Sequence, residues 1–139
     1  MYQRARDHGL HTVCHAGETT NAQDLWGALA IGAERVGHGI RAIEDPRLMQ
    51  HLRENNIPLE ICITSNVRTG AVGSVAAHPV RRLFEAGVPI VLNTDDPALF
   101  GCTLGGEYEI ARKCFGFRED ELRGIRENAF RHAFDARFV

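Results

Sequence analysis

Four short apolar runs recur along this chain, and each stops at a cluster of polar, chemically versatile side chains. Residues 10–14 lead into His15-Ala16-Gly17-Glu18, residues 35–37 into His38-Gly39, residues 59–63 into Thr64-Ser65-Asn66, and residues 89–92 into Asn93-Thr94-Asp95-Asp96-Pro97. A stretch with helical spacing follows each run. The order βα-βα-βα-βαα predicts an α/β fold with a parallel sheet and right-handed crossovers. In that topology all four clusters lie at the carboxyl ends of strands, on one face, which is where a (β/α) barrel builds its active site.

The punctuation between the runs supports this order. Asn21 can cap a helix reaching about residue 33, with Leu25, Ala28, Leu29 and Gly32 on one side. Asp45-Pro46 is a helix start, an N-cap followed by proline at the first helical position, and that helix carries Leu48, Met49 and Leu52. Residues 67–77 read as a loop of small side chains, and residues 79–86 as a short helix closed by Gly87. Residues 104–114 and 119–133 close the chain as helices. The last has Leu122, Ile125, Ala129 and Ala133 on one stripe and acids in its first turn. The third run is apolar almost throughout, as expected of a parallel strand buried on both faces.

Length sets a limit. A complete (β/α)8 barrel takes about 250 residues and rarely fewer than about 200, whereas this chain has 139. Four βα units fit. Residues 2–9 read as the last turns of a helix with Gly9 as its C-cap, so the chain is expected to begin part-way through a larger barrel, as one partial domain over residues 1–139. With 44% hydrophobic residues it can bury a core, which argues against disorder. The formal charge of -2, with acids and bases interspersed, leaves no basic footprint for nucleic acid. No run approaches the roughly 20 apolar residues that cross a membrane, and the first residues do not read as a signal peptide. Cys14, Cys62, Cys102 and Cys114 lack CxxC spacing, which fits reduced thiols and a cytoplasmic location.

The clusters suit metal and acid–base chemistry. A neutral imidazole at a strand end, such as His15, is a good zinc ligand. Ala16 and Gly17 leave room for a substrate against the backbone, and Glu18 beside them is placed to act as a general acid, or simply to lie in a solvated turn. Asp95 and Asp96 would repel each other unless a cation or a donor intervenes. One can bind a metal while the other accepts from substrate; an Asp-Asp-Pro turn or helix N-cap is the competing reading. In Gly37-His38-Gly39 the glycines clear bulk from around an imidazole, letting it face a pocket; a hydrogen-bonded structural histidine is the competing reading. Ser65 and Asn66 can orient polar groups or cap a strand end, the cap being the favoured reading, and His8, His11, His51, His78 and His132 are read as surface or capping residues.

Taken together, HAGE at residues 15–18, RVGHG at 35–39, TSNVRTGAV at 64–72 and NTDDP at 93–97 resemble the C-terminal half of an adenosine deaminase, in the amidohydrolase superfamily. The resemblance runs in order over essentially the whole chain. It implies the C-terminal half of a TIM (β/α)8 barrel. It also implies zinc-dependent hydrolytic deamination of adenosine, or a related 6-aminopurine nucleoside, to inosine and ammonia within purine salvage. By the same resemblance His15 and Asp95 are zinc ligands, Glu18 protonates purine N1, His38 orients the attacking hydroxide, Asp96 engages purine N7 and Gly17 lies against the substrate. The partners implied are a small purine nucleoside and a missing N-terminal half, with no nucleic acid and no membrane.

Two alternatives stand beside this: a sister enzyme acting on adenine or aminodeoxyfutalosine, and a non-catalytic half-barrel that assembles with a partner. The family's HxH pair, which supplies two further zinc ligands, has no counterpart among these residues. A normal catalytic zinc site needs three protein ligands. The polypeptide alone is therefore expected to have little or no deaminase activity.

Overall fold

The leucine-, valine- and isoleucine-rich runs form four parallel strands that lie in the order of the sequence: β1 (Val13–Ala16), β2 (Arg35–His38), β3 (Leu59–Ile61) and β4 (Ile90–Leu92). The structure is a computed structural model, and it describes residues 1–135. Parallel neighbours need a crossover, and helices supply it: α1 (Tyr2–Asp7) precedes the sheet, and α2 (Ala22–Ala30), α3 (Pro46–Glu54), α4 (Ile63–Arg68) and α5 (Val80–Glu85) connect the strands. After β4 come α6 (Pro97–Phe100), α7 (Leu104–Phe115) and α8 (Glu119–Arg131). The register sets His15 opposite Gly37 and Ala16 opposite His38, which brings the first two clusters level. It sets Ile61 opposite Leu92, which does the same for the last two.

The caps read from sequence form. Asn21 accepts from the Gln23 amide at 2.9 Å. Asp45 accepts from the Arg47 amide at 2.9 Å and from Trp26 Nε1 at 3.0 Å, so one carboxylate caps α3 and fastens α2 to it. Such a cap contributes about 1 kcal/mol. Asn128 on α8 reaches the Ile90 carbonyl at 3.3 Å, holding the last helix against β4.

One face of the sheet is packed by helices. Val36, Leu59, Ile61, Ile90 and Leu92 are buried there with Leu25, Leu48, Leu52, Leu83 and Ile125. The alternate residues Arg35, Glu60 and Val91 are only half-buried, and Arg35 Nε lies 3.0 Å from Glu60 Oε1 as an ion pair. The expectation of strands buried on both faces therefore holds for one face.

Several boundaries differ from the sequence reading; α2 ends at Ala30 and α8 at Arg131, short of residues 33 and 133. β1 begins at Val13 rather than Leu10: the Thr12 hydroxyl is held by the Gly32 carbonyl at 2.6 Å, and Leu10 is exposed. The third strand stops at Ile61, and Ile63 opens α4. The buried Glu107 carboxylate accepts from the Thr64 amide at 3.2 Å and from the Thr64 hydroxyl, which satisfies the first turn of α4 and lets the chain leave the sheet. A short apolar run has no periodicity to reveal that change. The segment at 67–77 is correspondingly less of a loop, since it includes the end of α4 and a 3-10 turn at Val75–Ala77.

Candidate active site

The first turn of the site depends on glycine. Gly17 follows β1 with φ +61°, and a Cβ there would lie 2.1 Å from Leu25 Cδ1, so the position needs both the left-handed backbone and the missing side chain. The turn carries Glu18 back over the strand ends. Arg41 secures it, donating from Nε to the Glu18 carbonyl at 3.4 Å and from Nη2 to the Ala71 carbonyl at 3.1 Å. Gly37 provides space: a Cβ there would lie 2.3 Å from His15 Cδ2. The His15 ring thus lies over β2 and meets His38 edge-on, with centroids 4.9 Å apart.

His38 and Asp95 both take up the left-handed backbone, at φ 62° and 60°. For residues other than glycine this costs on the order of 1–3 kcal/mol and collects at functional sites. His38 is buried. That burial holds its imidazole below the ordinary histidine pKa, although the Glu18 carboxylate pulls the other way.

The first turn of α4 joins the clusters. Ser65 Oγ donates to Asp95 Oδ2 at 2.6 Å. Asn66 Nδ2 donates to Glu18 Oε1 at 3.1 Å and lies 3.1 Å from His38 Nδ1. Thr69 Oγ1 also donates to Glu18 Oε1 at 3.1 Å. Behind Asn66, its Oδ1 is 3.2 Å from Nε2 of His78. Ser65, Asn66 and His78 are buried. Glu18 Oε2 stands 3.6 Å from His38 Nε2, too far for a direct hydrogen bond. The two atoms face one space with bonding capacity to spare.

Comparison with known proteins agrees with this geometry. The sequence matches the Adenosine deaminase family over residues 1–137. The chain belongs to the adenosine deaminase family. It is 45% identical over 134 residues to the aminodeoxyfutalosine deaminase of Streptomyces coelicolor, covering 96% of this chain and 35% of that protein. It is 44% identical to the adenosine deaminase of Yersinia enterocolitica, again over 96% of this chain but 40% of the relative. The chain thus spans well under half the length of these relatives. Among solved structures, an adenine deaminase from Arthrobacter aurescens superposes with a TM-score of 0.93 at 38% identity, over 99% of this chain and 43% of that one. An amidohydrolase from Burkholderia ambifaria, solved with bound Zn, superposes at 0.89 and 27% identity over 96% of this chain and 38% of its own. The fold is the C-terminal half of a TIM (β/α)8 barrel.

The residues singled out in the sequence fall as follows in this half-barrel of the adenosine deaminase family. Glu18 and His38 come together, Asp95 is tied to the same turn through Ser65, and His15 lies against His38. Asp96 turns away from Asp95: it caps α6 by accepting from the Leu99 amide at 3.1 Å. Gly17 forms the buried turn beneath Glu18. Of the two readings open for Ser65 and Asn66, the favoured one, capping β3, gives way to the other: both residues orient polar groups of the site. A second reading needs correction. His78 is not on the surface; it is buried behind Asn66, and the capping half of its reading holds, because its Nδ1 accepts from the Val80 amide at 3.1 Å. The available signal was position, since Ser65-Asn66 follows its apolar run as the other clusters follow theirs.

Among the described residues no group of three or more His, Cys, Asp or Glu side chains is placed to hold a metal ion. His15 and Asp95 are two potential donors, one short of the three protein ligands of an ordinary catalytic zinc. A groove of about 440 Å³ runs between the end of β1 and α2 beside His15 and Glu18. Neither His38, Asn66 nor Asp95 lines it, so it adjoins the point of convergence and is not that point.

Proposed function

We propose that this chain forms the C-terminal half of the active site of a hydrolytic deaminase that converts adenosine to inosine and ammonia. The observation that carries this reading is the Asn66 amide, which holds Glu18 and His38 at adjacent strand ends of a deaminase-family half-barrel. Glu18 Oε1 is committed to Asn66 and Thr69, leaving Oε2 as the oxygen able to pass a proton to a purine ring nitrogen. His38 presents Nε2 to the same space, placed to orient an attacking water by a hydrogen bond. Asp96, exposed at the start of α6, stands at the rim for the purine's five-membered ring, and the turn at Gly17 floors it. His15 and Asp95 are the donors this half would contribute to a zinc ion completed by ligands from an N-terminal half. Zinc supplies Lewis acidity and a more acidic water. Four free thiols suit a reducing, cytoplasmic compartment, and purine salvage is the role such an activity would serve.

A second substrate reading has support of equal weight: the relative acting on aminodeoxyfutalosine is as similar as the one named for adenosine. The 6-amino chemistry is shared. The test joins this chain to the N-terminal portion of the Yersinia relative and follows ammonia release from adenosine, adenine and aminodeoxyfutalosine. Release from at least one, abolished by Glu18→Gln, is expected; a folded chimera that releases none overturns the reading in favour of a non-catalytic half-barrel. The 139-residue chain assayed alone is expected to show no turnover.

A further inference from the structure

We propose that His78 is a positioning residue that, through Asn66, fixes which nitrogen of His38 carries the proton and which way the Glu18 carboxylate faces. The Val80 backbone amide can only donate, and it donates to His78 Nδ1 at 3.1 Å. That nitrogen is therefore bare, and the single proton of a neutral His78 sits on Nε2. Burial keeps this imidazole neutral, with its pKa pushed down to about 4.

From Nε2 the order propagates. His78 Nε2–H faces Asn66 Oδ1 at 3.2 Å, so the Asn66 amide must turn its NH2 the other way. The far side agrees: Asn66 Nδ2 meets Glu18 Oε1 at 3.1 Å, an oxygen that also accepts from Thr69 Oγ1. The second Nδ2 hydrogen points at His38 Nδ1, 3.1 Å away, which must then be bare. His38 carries its proton on Nε2, the nitrogen that faces Glu18 Oε2 and the open space. Asn66 and His78 are both buried, so water has little access to compete. A histidine whose other nitrogen is engaged in this way has its tautomer and ring orientation set by that partner. Neither His78 nor Asn66 touches the reacting atoms; they act on the residues that do.

This inference rests on the proposed function for its meaning, and its test does not. The 139-residue chain is labelled with 15N in its imidazoles, and long-range 15N–1H correlation spectra are recorded above neutral pH without metal or substrate. His38 and His78 are both expected as Nε2–H tautomers. Replacing His78→Leu frees Asn66 to turn over, so His38 becomes a mixture of tautomers while amide dispersion elsewhere is kept. His78→Gln, which can again offer an N–H to Asn66 Oδ1, restores the single tautomer. Asn66→Asp, which can only accept, switches His38 to Nδ1–H. A wild-type His38 protonated on Nδ1 overturns the proposal, as does a folded H78L or N66D protein with an unchanged His38. If H78L does not fold, the wild-type, H78Q and N66D spectra still decide. A relay that responds as stated in a chimera that deaminates nothing removes the proposed function alone. Deamination with an unresponsive His38 tautomer removes the relay alone.

Discussion

An imidazole and a carboxylate meet at each end of the sheet, His11 with Glu34 at the amino ends of the strands and His38 with Glu18 at the carboxyl ends. The lower pair is closed on itself. His11 Nδ1 is 2.7 Å from Glu34 Oε2, the other Glu34 oxygen takes the Thr12 amide at 2.9 Å, and the ring stacks on Phe134 at 4.2 Å. Burial pushes the Glu34 carboxyl up, but the His11 and Thr12 hydrogen bonds win and hold it below the usual range. Both side chains are substantially exposed. In the upper pair His38 is buried on a left-handed backbone, Glu18 is half-buried, and the two are kept 3.6 Å apart by a third group, Asn66. Residue type does not separate the two ends. Unspent hydrogen-bonding capacity, held in place against solvent, does.

The largest effect expected from breaking this contrast is on turnover. In the completed chimera Glu18→Gln should lower kcat by about 10²–10⁴-fold, the range for loss of a general acid, while Glu34→Gln leaves kcat unchanged; ammonia release measures both. Equal losses would erase the distinction between the two ends.

The next effect is on stability. Asn66→Ala strips partners from Glu18, His38 and His78 together and leaves a small void. It should cost on the order of 4 kcal/mol in urea unfolding. Glu34→Ala, at an exposed pair, should cost about 1 kcal/mol.

A third test uses pH. His78 is held at about 4 against an ordinary value of 6.5, by burial alone. A histidine with a depressed folded pKa gives stability that is complete above the unfolded value and lost as pH falls below it. Unfolding free energy should therefore fall by roughly 3 kcal/mol between about pH 6.5 and pH 4 on this account, and the His78→Gln protein should lack that component. The smallest effect is at the lower pair, where His11→Ala should change stability by about 0.5 kcal/mol, reduced further by salt; a drop as large as that of Asn66→Ala would mean the lower pair is more than a surface contact.

Much of this was legible in the residues. Alternating apolar runs and capped helical stretches specify a parallel βα order because both signals are local, and that order alone puts His15, Glu18, His38 and Asp95 on one face. Asp45-Pro46 and Asn21 form the caps their types predict, because a cap needs only its own next turn. Where the reading slipped, the cause lay elsewhere in the chain. The third run becomes helix at Ile63 because Glu107, 43 residues from Thr64, satisfies that turn.

By itself, then, the sequence determined the strand-and-helix order, the caps and the chemistry available at the strand ends. Only the tertiary structure decided which of those groups meet and how their protons are arranged. Asn66 reaches Glu18 across 48 residues and His38 across 28, and His78, on no strand end, completes the chain from behind. Hydrogen bonds over such separations depend on how elements pack against one another, and no local pattern carries that information.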